Sequence, residues 1–213
     1  MVYLPEHDEA PSAADVAGLI AAVPFATLLT SDGKTLSANH IPLLLESGEV
    51  GDRLIGHVAR ANDVWRDGNH EGESLVVFNG ADHYVSPTWY PSEQEHHKVV
   101  PTWNYLVAHV YGELVIHDDR QWTRGAVAKL TQAMEGGRDD PWHMGRAPAP
   151  YLADQLDKIV GIELRVSHVV GKFKVSAARS SADRNGAADG IEAESGPSSL
   201  VDEMRAVDRR VPK

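Results

Sequence analysis

Eleven histidines, a few cations set in an acidic background and asparagines beside strand-like runs are the residues with which this 213-residue chain can do chemistry. A flat redox ring needs an apolar slot, hydrogen bonds to its ring heteroatoms, and cationic or backbone donors for acidic groups at its edge. Asn39 and Asn104 are of the type that addresses a ring carbonyl or nitrogen, although asparagine beside a strand end also serves turns. Arg60, Lys172, Lys174 and Arg179 can hold a phosphate or carboxylate, Arg through two parallel bonds, or else pair with some of the 31 acids. Trp65, Trp89, Tyr90, Trp103 and Tyr105 supply ring walls, a barrel core or a subunit interface. His40, His57 and His109 each lie in a strand-like run, where a neutral imidazole either ligates haem iron or makes a structural hydrogen bond.

Other chemistries find no support. His96 and His97 are adjacent and no His-Glu-x-x-His string exists, so a compact zinc motif is missing. Ser86, Ser92 and Ser176 lack the Gly-x-Ser-x-Gly setting of a nucleophile elbow. Gly136-Gly137 runs into Arg138-Asp139-Asp140, not into the Lys-Ser pair of a phosphate loop. With no cysteine there are no disulfides, thiolate nucleophiles or iron–sulfur clusters. Any redox chemistry therefore comes from a bound cofactor. The net charge of −11 opposes direct DNA binding, which Lys and Arg carry by neutralising phosphates. No run approaches the length and apolarity of a membrane span, and the start of the chain has no apolar stretch, so a soluble cytoplasmic protein is expected.

These residues must be positioned by short strands. Ser12 and Asp15 form a capping-box pattern ahead of Val16, Leu19, Ile20 and Val23, a short amphipathic helix stopped by Pro24. Strand-like runs follow at 25–30, 35–45, 53–59, 75–78 and 83–86, separated by Ser31-Asp32-Gly33, Glu46-Ser47-Gly48 and Asn79-Gly80, which predicts an antiparallel barrel. From Val99-Val100-Pro101-Thr102-Trp103-Asn104-Tyr105 a long alternating strand continues to His117. Tyr105, Val107, His109 and Tyr111 fall on one face, with Leu106, Ala108, Val110, Leu114 and Ile116 on the other. Asp118 or Asp119 then caps a helix with Trp122, Ala126, Leu130 and Ala133 as its core stripe, ended by Gly136-Gly137. The segment 138–150 reads as a loop or clamp carrying Trp142 and His143, and Leu152, Leu156 and Ile159 suit a further helix. Strands are predicted at 161–169 and 172–176. The expected organisation is one cofactor-binding domain over 1–182 with peripheral helices, and a mobile or partner-docked tail over 183–213.

Several strings together resemble one family: Tyr3-Leu4-Pro5, Asn39-His40-Ile41-Pro42, Gly56-His57-Val58-Ala59-Arg60-Ala61-Asn62, Trp65-Arg66, Tyr84-Val85-Ser86-Pro87, Pro101-Thr102-Trp103-Asn104-Tyr105 and Ile159-Val160-Gly161-Ile162-Glu163. In order and spacing the chain, to about Arg184, is similar to the PaiB-like FMN-binding split-barrel proteins, often described as negative transcriptional regulators. The resemblance implies a mainly β fold, a six-stranded antiparallel split barrel with helices, a homodimer, and FMN or a related cofactor at the dimer interface. In that reading Arg60 and Lys172 hold the phosphate, Asn104 and Trp103 border the ring, and Asn39 and Arg179 complete the cofactor set. Where the family continues Gln-Asn-Arg after a Lys-Leu-Ser-like string, this chain has Lys174-Val175-Ser176-Ala177-Ala178-Arg179 and so lacks two amides. The wider split-barrel group also contains haem-utilisation proteins. The alternative is thus a haem protein with His40 or His57 on the iron; a partner-binding regulatory barrel without cofactor is the third reading.

Overall fold

Alternation sets the strands. In β1 (Phe25–Ser31) Ala26, Leu28 and Thr30 are buried while Thr27 and Leu29 face outward, and β2 (Leu36–Pro42) pairs antiparallel to it with Leu28 opposite Asn39 and Thr27 opposite His40. A computed structural model describes residues 2–48, 51–66, 68 and 70–210. Among these, β1 and β2 join β3 (Leu44–Gly48), β4 (Gly51–Ala59), β5 (Glu73–Val85), β6 (Thr102–His117) and β7 (Ile159–Lys174) in one sheet ordered β2-β1-β5-β6-β7-β4-β3. Where the six-stranded barrel was expected, seven strands form, because the run 35–45 breaks at Leu43 into β2 and β3.

The chain divides into two compact units, one of residues 1–19, 79–108 and 170–213, the other of 20–78 and 109–169. The second unit contains part of every strand. Its two edge strands, β2 and β3, are consecutive in the chain, so the sheet curls until its edges are a single residue apart at Leu43. Leu43 is buried, its amide donates to the Pro24 carbonyl at 2.8 Å, and a Cβ on Gly56 would lie 2.7 Å from its Cδ2 and 2.9 Å from the Pro42 carbonyl. Only glycine lets β4 pass this close. Helix α3 (Arg120–Glu135), capped by Asp119 with its side chain accepting from the Trp122 amide, buries Thr123, Ala126 and Leu130. Helix α4 (Ala149–Leu156) follows the loop around Trp142. Ile159 belongs to β7 and not to this helix, paired opposite Ala59.

In the first unit, helix α1 (Ala13–Ala22) starts at the Ser12/Asp15 box, where the Ser12 hydroxyl donates to Asp15 at 2.7 Å, and runs on into the second unit. Asn79-Gly80 makes no hairpin turn: β5 runs straight through it, and glycine is needed there because a Cβ would lie 2.6 Å from Leu19 Cδ1 and 3.1 Å from the Leu106 carbonyl. Likewise Gly171 joins the two predicted final strands into β7, its missing Cβ leaving room for Val16 and Ala10. The short helix α2 (Pro91–His96) ends with His97 in the left-handed region at φ 54°. Beyond Ser180, where a tail was expected, two helices form, α5 (Ser181–Ser195) and α6 (Ser199–Arg210), burying Ala187, Ala188, Ile191, Leu200, Val201 and Met204. The residues that made this segment look unstructured are its contact surface. A Cβ on Gly190 would overlap the Trp89 indole, and one on Gly186 the Trp89 carbonyl.

Gly190→Ala therefore overpacks and is expected to destabilise by about 1–3 kcal/mol. Gly18→Ala meets nothing within 4 Å in mid-helix and is expected to stabilise by up to about 1 kcal/mol. Thermal denaturation of both variants checks the opposite signs.

Candidate functional site

The closure at Leu43 brings the end of β2 beside the residues that follow β4. Asn62 donates from Nδ2 to Asn39 Oδ1 at 2.7 Å, while its own Oδ1 accepts from the Val64 amide at 2.9 Å and caps the turn 63–65. Next to Asn39, His40 shares a 3.1 Å hydrogen bond between its Nδ1 and Thr27 Oγ1, which fixes the ring with Nε2 directed away from Thr27. The exposed Phe25 ring lies 6.4 Å from it. The amide pair and the oriented imidazole thus stand at the same end of β2 but on its two faces, Asn39 on the side of buried Leu28 and His40 on the outward side with Thr27.

Arg60 closes the same loop, but its fork is taken. Nε donates to the Asp157 carbonyl (2.8 Å), Nη1 and Nη2 to the two oxygens of Asp118 (3.1 and 2.6 Å), and Nη2 also to the Ile159 carbonyl (3.3 Å). Hydrogen bonding to Asp118 raises the guanidinium above its ordinary value, and Arg60 lowers the Asp118 carboxyl. The guanidinium also lies 5.6 Å from the Trp65 ring, whose Nε1 donates to the Arg60 carbonyl at 3.0 Å. Arg60 therefore ties β4 to the start of α3 and of β7, and its partner Asp118 is an acid that the sequence suggests only as a helix cap.

His57 shares its strand face with Arg53 and Ile55, the face under α3, and pairs opposite Gly161, where a Cβ would overlap Trp122. Its Nδ1 is buried without a hydrogen-bond partner, and burial pushes its pKa below the usual histidine value. His109, on the opposite parity of β6 from the core, also has a buried Nδ1 without a partner and a pKa lowered by burial. Its ring stands edge-on to Tyr111, which stacks on His168 at 4.2 Å.

The remaining predicted residues lie in the other unit. Trp103 is 54 % exposed and meets Tyr84 edge-on. Asn104 is fully buried and exchanges two hydrogen bonds with the Ser176 hydroxyl, at 2.9 and 3.1 Å, holding Ser176 at φ 60°. Lys172 is buried, donates to the Tyr3 carbonyl at 2.8 Å and sits 3.9 Å from the buried Asp8. Lys174 donates to Thr102 Oγ1 at 2.8 Å. Arg179 lies 4.1 Å over the Tyr90 ring. The eight predicted residues thus divide evenly. Asn39, His40, His57 and Arg60 stand in one unit, beside the candidate wall Trp65 and with Asn62, Thr27 and Asp118 as neighbours that sequence reasoning did not single out as site residues. Trp103, Asn104, Lys172 and Arg179 stand in the other. Among the described residues no group of three or more acids and histidines is arranged to hold a metal ion.

Asn39 Nδ2 on the inner face of β2 is a donor suited to a planar ring with heteroatoms, while His40 Nε2 stands on the outward face and His57 Nδ1 is buried under α3. The ring portion of a flavin fits this chemistry. A phosphate would have to compete with Asp118 for Arg60, or with Tyr3 and Asp8 for Lys172.

Residues 2–168 match a family model described as "Putative FMN-binding domain". A Bacillus subtilis protein described as "Protease synthase and sporulation protein PAI 2" is 26% identical over 196 residues, 92% of each chain. An uncharacterized protein of Emericella nidulans is 31% identical over 189 residues, covering 74% of this chain and 75% of its own. Among solved structures, the FAD and haem binding protein of Mycobacterium smegmatis matches with TM-score 0.57 at 18% identity, over 78% of this chain and 73% of its own. The flavocytochrome Anf3 of Azotobacter vinelandii matches with TM-score 0.58 at 12% identity, over 80% and 72%. The likeness to these structures is one of fold.

The buried imidazoles set a pH dependence. Their folded pKa values lie below the ordinary value of 6.5, so between pH 7 and 5 the unfolded chain takes up protons that the folded chain refuses. Stability is expected to fall as pH drops through this window, His57 contributing up to about 1.4 kcal/mol per pH unit. Urea denaturation at pH 7 and pH 5 should show the loss, and His57→Gln should make it smaller.

Proposed function

This chain belongs to that FMN-binding domain family, and from that membership we propose that it is a flavin-binding split-barrel protein with FMN as its cofactor. The observation that carries the reading is the Asn39–Asn62 amide pair that joins the end of β2 to the turn after β4, with Asn39 accepting through Oδ1 and its Nδ2 left for a ring heteroatom. When bound, a flavin supplies hydride and one-electron transfer, for which the chain's own residues offer no substitute. Asn39 addresses a ring heteroatom, Trp65 forms a wall, and Arg60 positions the loop through Asp118 and reaches phosphate only by partial exchange of that partner.

A second copy of the chain completes the site in this reading. The outward face of β1, β2 and β5 carries Thr27 and Leu29 opposite Val77 and Leu75, only half-buried, beside exposed Phe25 and Leu36. A homodimer covers such a face isologously. Direct DNA contact is no part of the reading, given the net charge of −11.

Haem is the second reading, favoured by one observation. His40 is held through Nδ1 by Thr27 and so presents Nε2, the arrangement of an oriented axial ligand. Both solved structures named above are described as proteins that carry flavin together with haem or as a flavocytochrome.

Titrating the purified protein separately with FMN and with haemin decides between them. The FMN reading expects saturable quenching of flavin fluorescence, weakened about 2- to 12-fold by Asn39→Ala, the equivalent of a lost hydrogen bond of about 0.5–1.5 kcal/mol. A stoichiometric Soret shift abolished by His40→Ala, without flavin quenching, would replace it by haem. Silence with both ligands would overturn the cofactor assignment.

A further inference from the structure

Under α3 lies a second polar and aromatic cluster that the flavin reading does not use. Arg53, on β4, is anchored from below, its Nη1 donating to the buried Glu163 at 3.2 Å. That bond leaves the Nε/Nη2 edge of the guanidinium facing outward, where both nitrogens donate to one oxygen of Glu46, at 3.2 and 2.9 Å. The second Glu46 oxygen lies 2.6 Å from Lys129 Nζ, on α3. A carboxylate held on one oxygen by a guanidinium edge and on the other by an ammonium is bound as a ligand acid would be bound. Glu46 holds its proton less readily than an ordinary glutamate: burial alone would raise its pKa, but Lys129 and Arg53 outweigh that and lower it.

These three side chains line a cleft of about 460 Å³ together with Trp122, Ile55, Ala126 and the carboxylate of Asp119, whose side chain is engaged in capping α3 at the Trp122 amide. The indole is fixed from behind, since His117 stacks on it at 3.8 Å and 8°. One turn along the helix, Gly125 presents no side chain, and a Cβ there would meet nothing within 4 Å. The cleft therefore has a rigid aromatic wall, an open floor and two cations at one end. Arg53 and Lys129 are each more than two-fifths exposed, so both cations can be reached from solvent, whereas Glu46 is only one-fifth exposed. An incoming acid replaces one carboxylate by another on the same two cations and gains the aromatic surface.

We propose that this cleft binds a small flat aromatic acid, its ring against Trp122 and its carboxylate taking the place of Glu46 on Arg53 and Lys129. Glu46 is then a built-in competitor that occupies the cations when no ligand is bound. The site is independent of the flavin corner, and its test does not pass through FMN.

The probe is naphthoate, titrated by calorimetry with the full chain, with naphthylmethanol as the uncharged control and the Trp122 indole NH signal, assigned with Trp122→Phe, to locate it. Saturable binding of naphthoate is expected, at least about tenfold tighter than the alcohol, with the Trp122 signal shifting. Glu46→Gln should tighten binding about fivefold by removing the competitor, and Gly125→Leu, which fills the floor without touching a charge, should abolish it. Absence of saturable binding to both the unaltered protein and Glu46→Gln overturns the proposal. Binding that Gly125→Leu leaves intact, or that shifts other tryptophans and not Trp122, overturns it equally.

Discussion

The single-residue joint at Leu43 is the constraint on which the rest of the barrel unit depends. Two edge strands, β2 and β3, leave one buried leucine in opposite directions, and they can do so only because β4 carries glycine at position 56 where it passes over Leu43 and the Pro42 carbonyl. β2 and β3 are the two ends of the strand order, joined in the chain through Leu43, whose amide is satisfied by the Pro24 carbonyl. The same joint shapes the candidate site. It places Asn39 near the end of β2 within hydrogen-bond reach of Asn62 just past β4, although the two are 23 residues apart. It also leaves His57 beneath α3, facing Gly161 across β7, where burial keeps the imidazole neutral.

Electrostatics divides the cations by burial and not by sequence neighbourhood. The chain is acidic, and its arginines and lysines nearest the predicted site all have protein partners: Arg60 on Asp118, Lys172 on the Tyr3 carbonyl and beside Asp8, Arg53 on Glu46 and Glu163. Lys172 is the least available of these, because removing it from the buried Asp8 would strand a carboxylate in low dielectric. Arg53 and Lys129 are the most available, being solvent-facing. Recognition of a flavin in this protein would accordingly lean on amides and backbone groups, with Arg60 shaping the loop that carries them.

Much of this was legible in the residues. The parity of β6 separates the core residues Leu106, Ala108, Val110 and Leu114 from His109 and Tyr111, the Ser12/Asp15 box starts α1, and Asp119 caps α3. These are local rules with periods of two or four residues. What escaped needs knowledge of a distant neighbour. Gly80 reads as a turn until Leu19 and Leu106 are seen against it, and Gly190 belongs to a segment that reads as a tail until the Trp89 indole is seen where its side chain would be. The run of Ala, Ser, Asp and Gly after Ser180 has few large apolar residues, yet small residues suffice for helices that approach closely. The partners of Arg60 lie 58 residues and more along the chain, so sequence showed a cation and not its engagement. At the site itself Asn39 and His40 were visible, whereas Asn62 and Thr27, which orient them, follow only from strand register.

The most direct test of the central claim, that the Leu43 closure builds a flavin-recognising amide pair from Asn39 and Asn62, is a heteronuclear NMR titration with FMN of protein labelled at asparagine nitrogen. The account predicts saturable shifts in the side-chain signals of Asn39 and Asn62, with those of the buried Asn104 little changed. Saturable FMN binding that leaves both amides unshifted would contradict it.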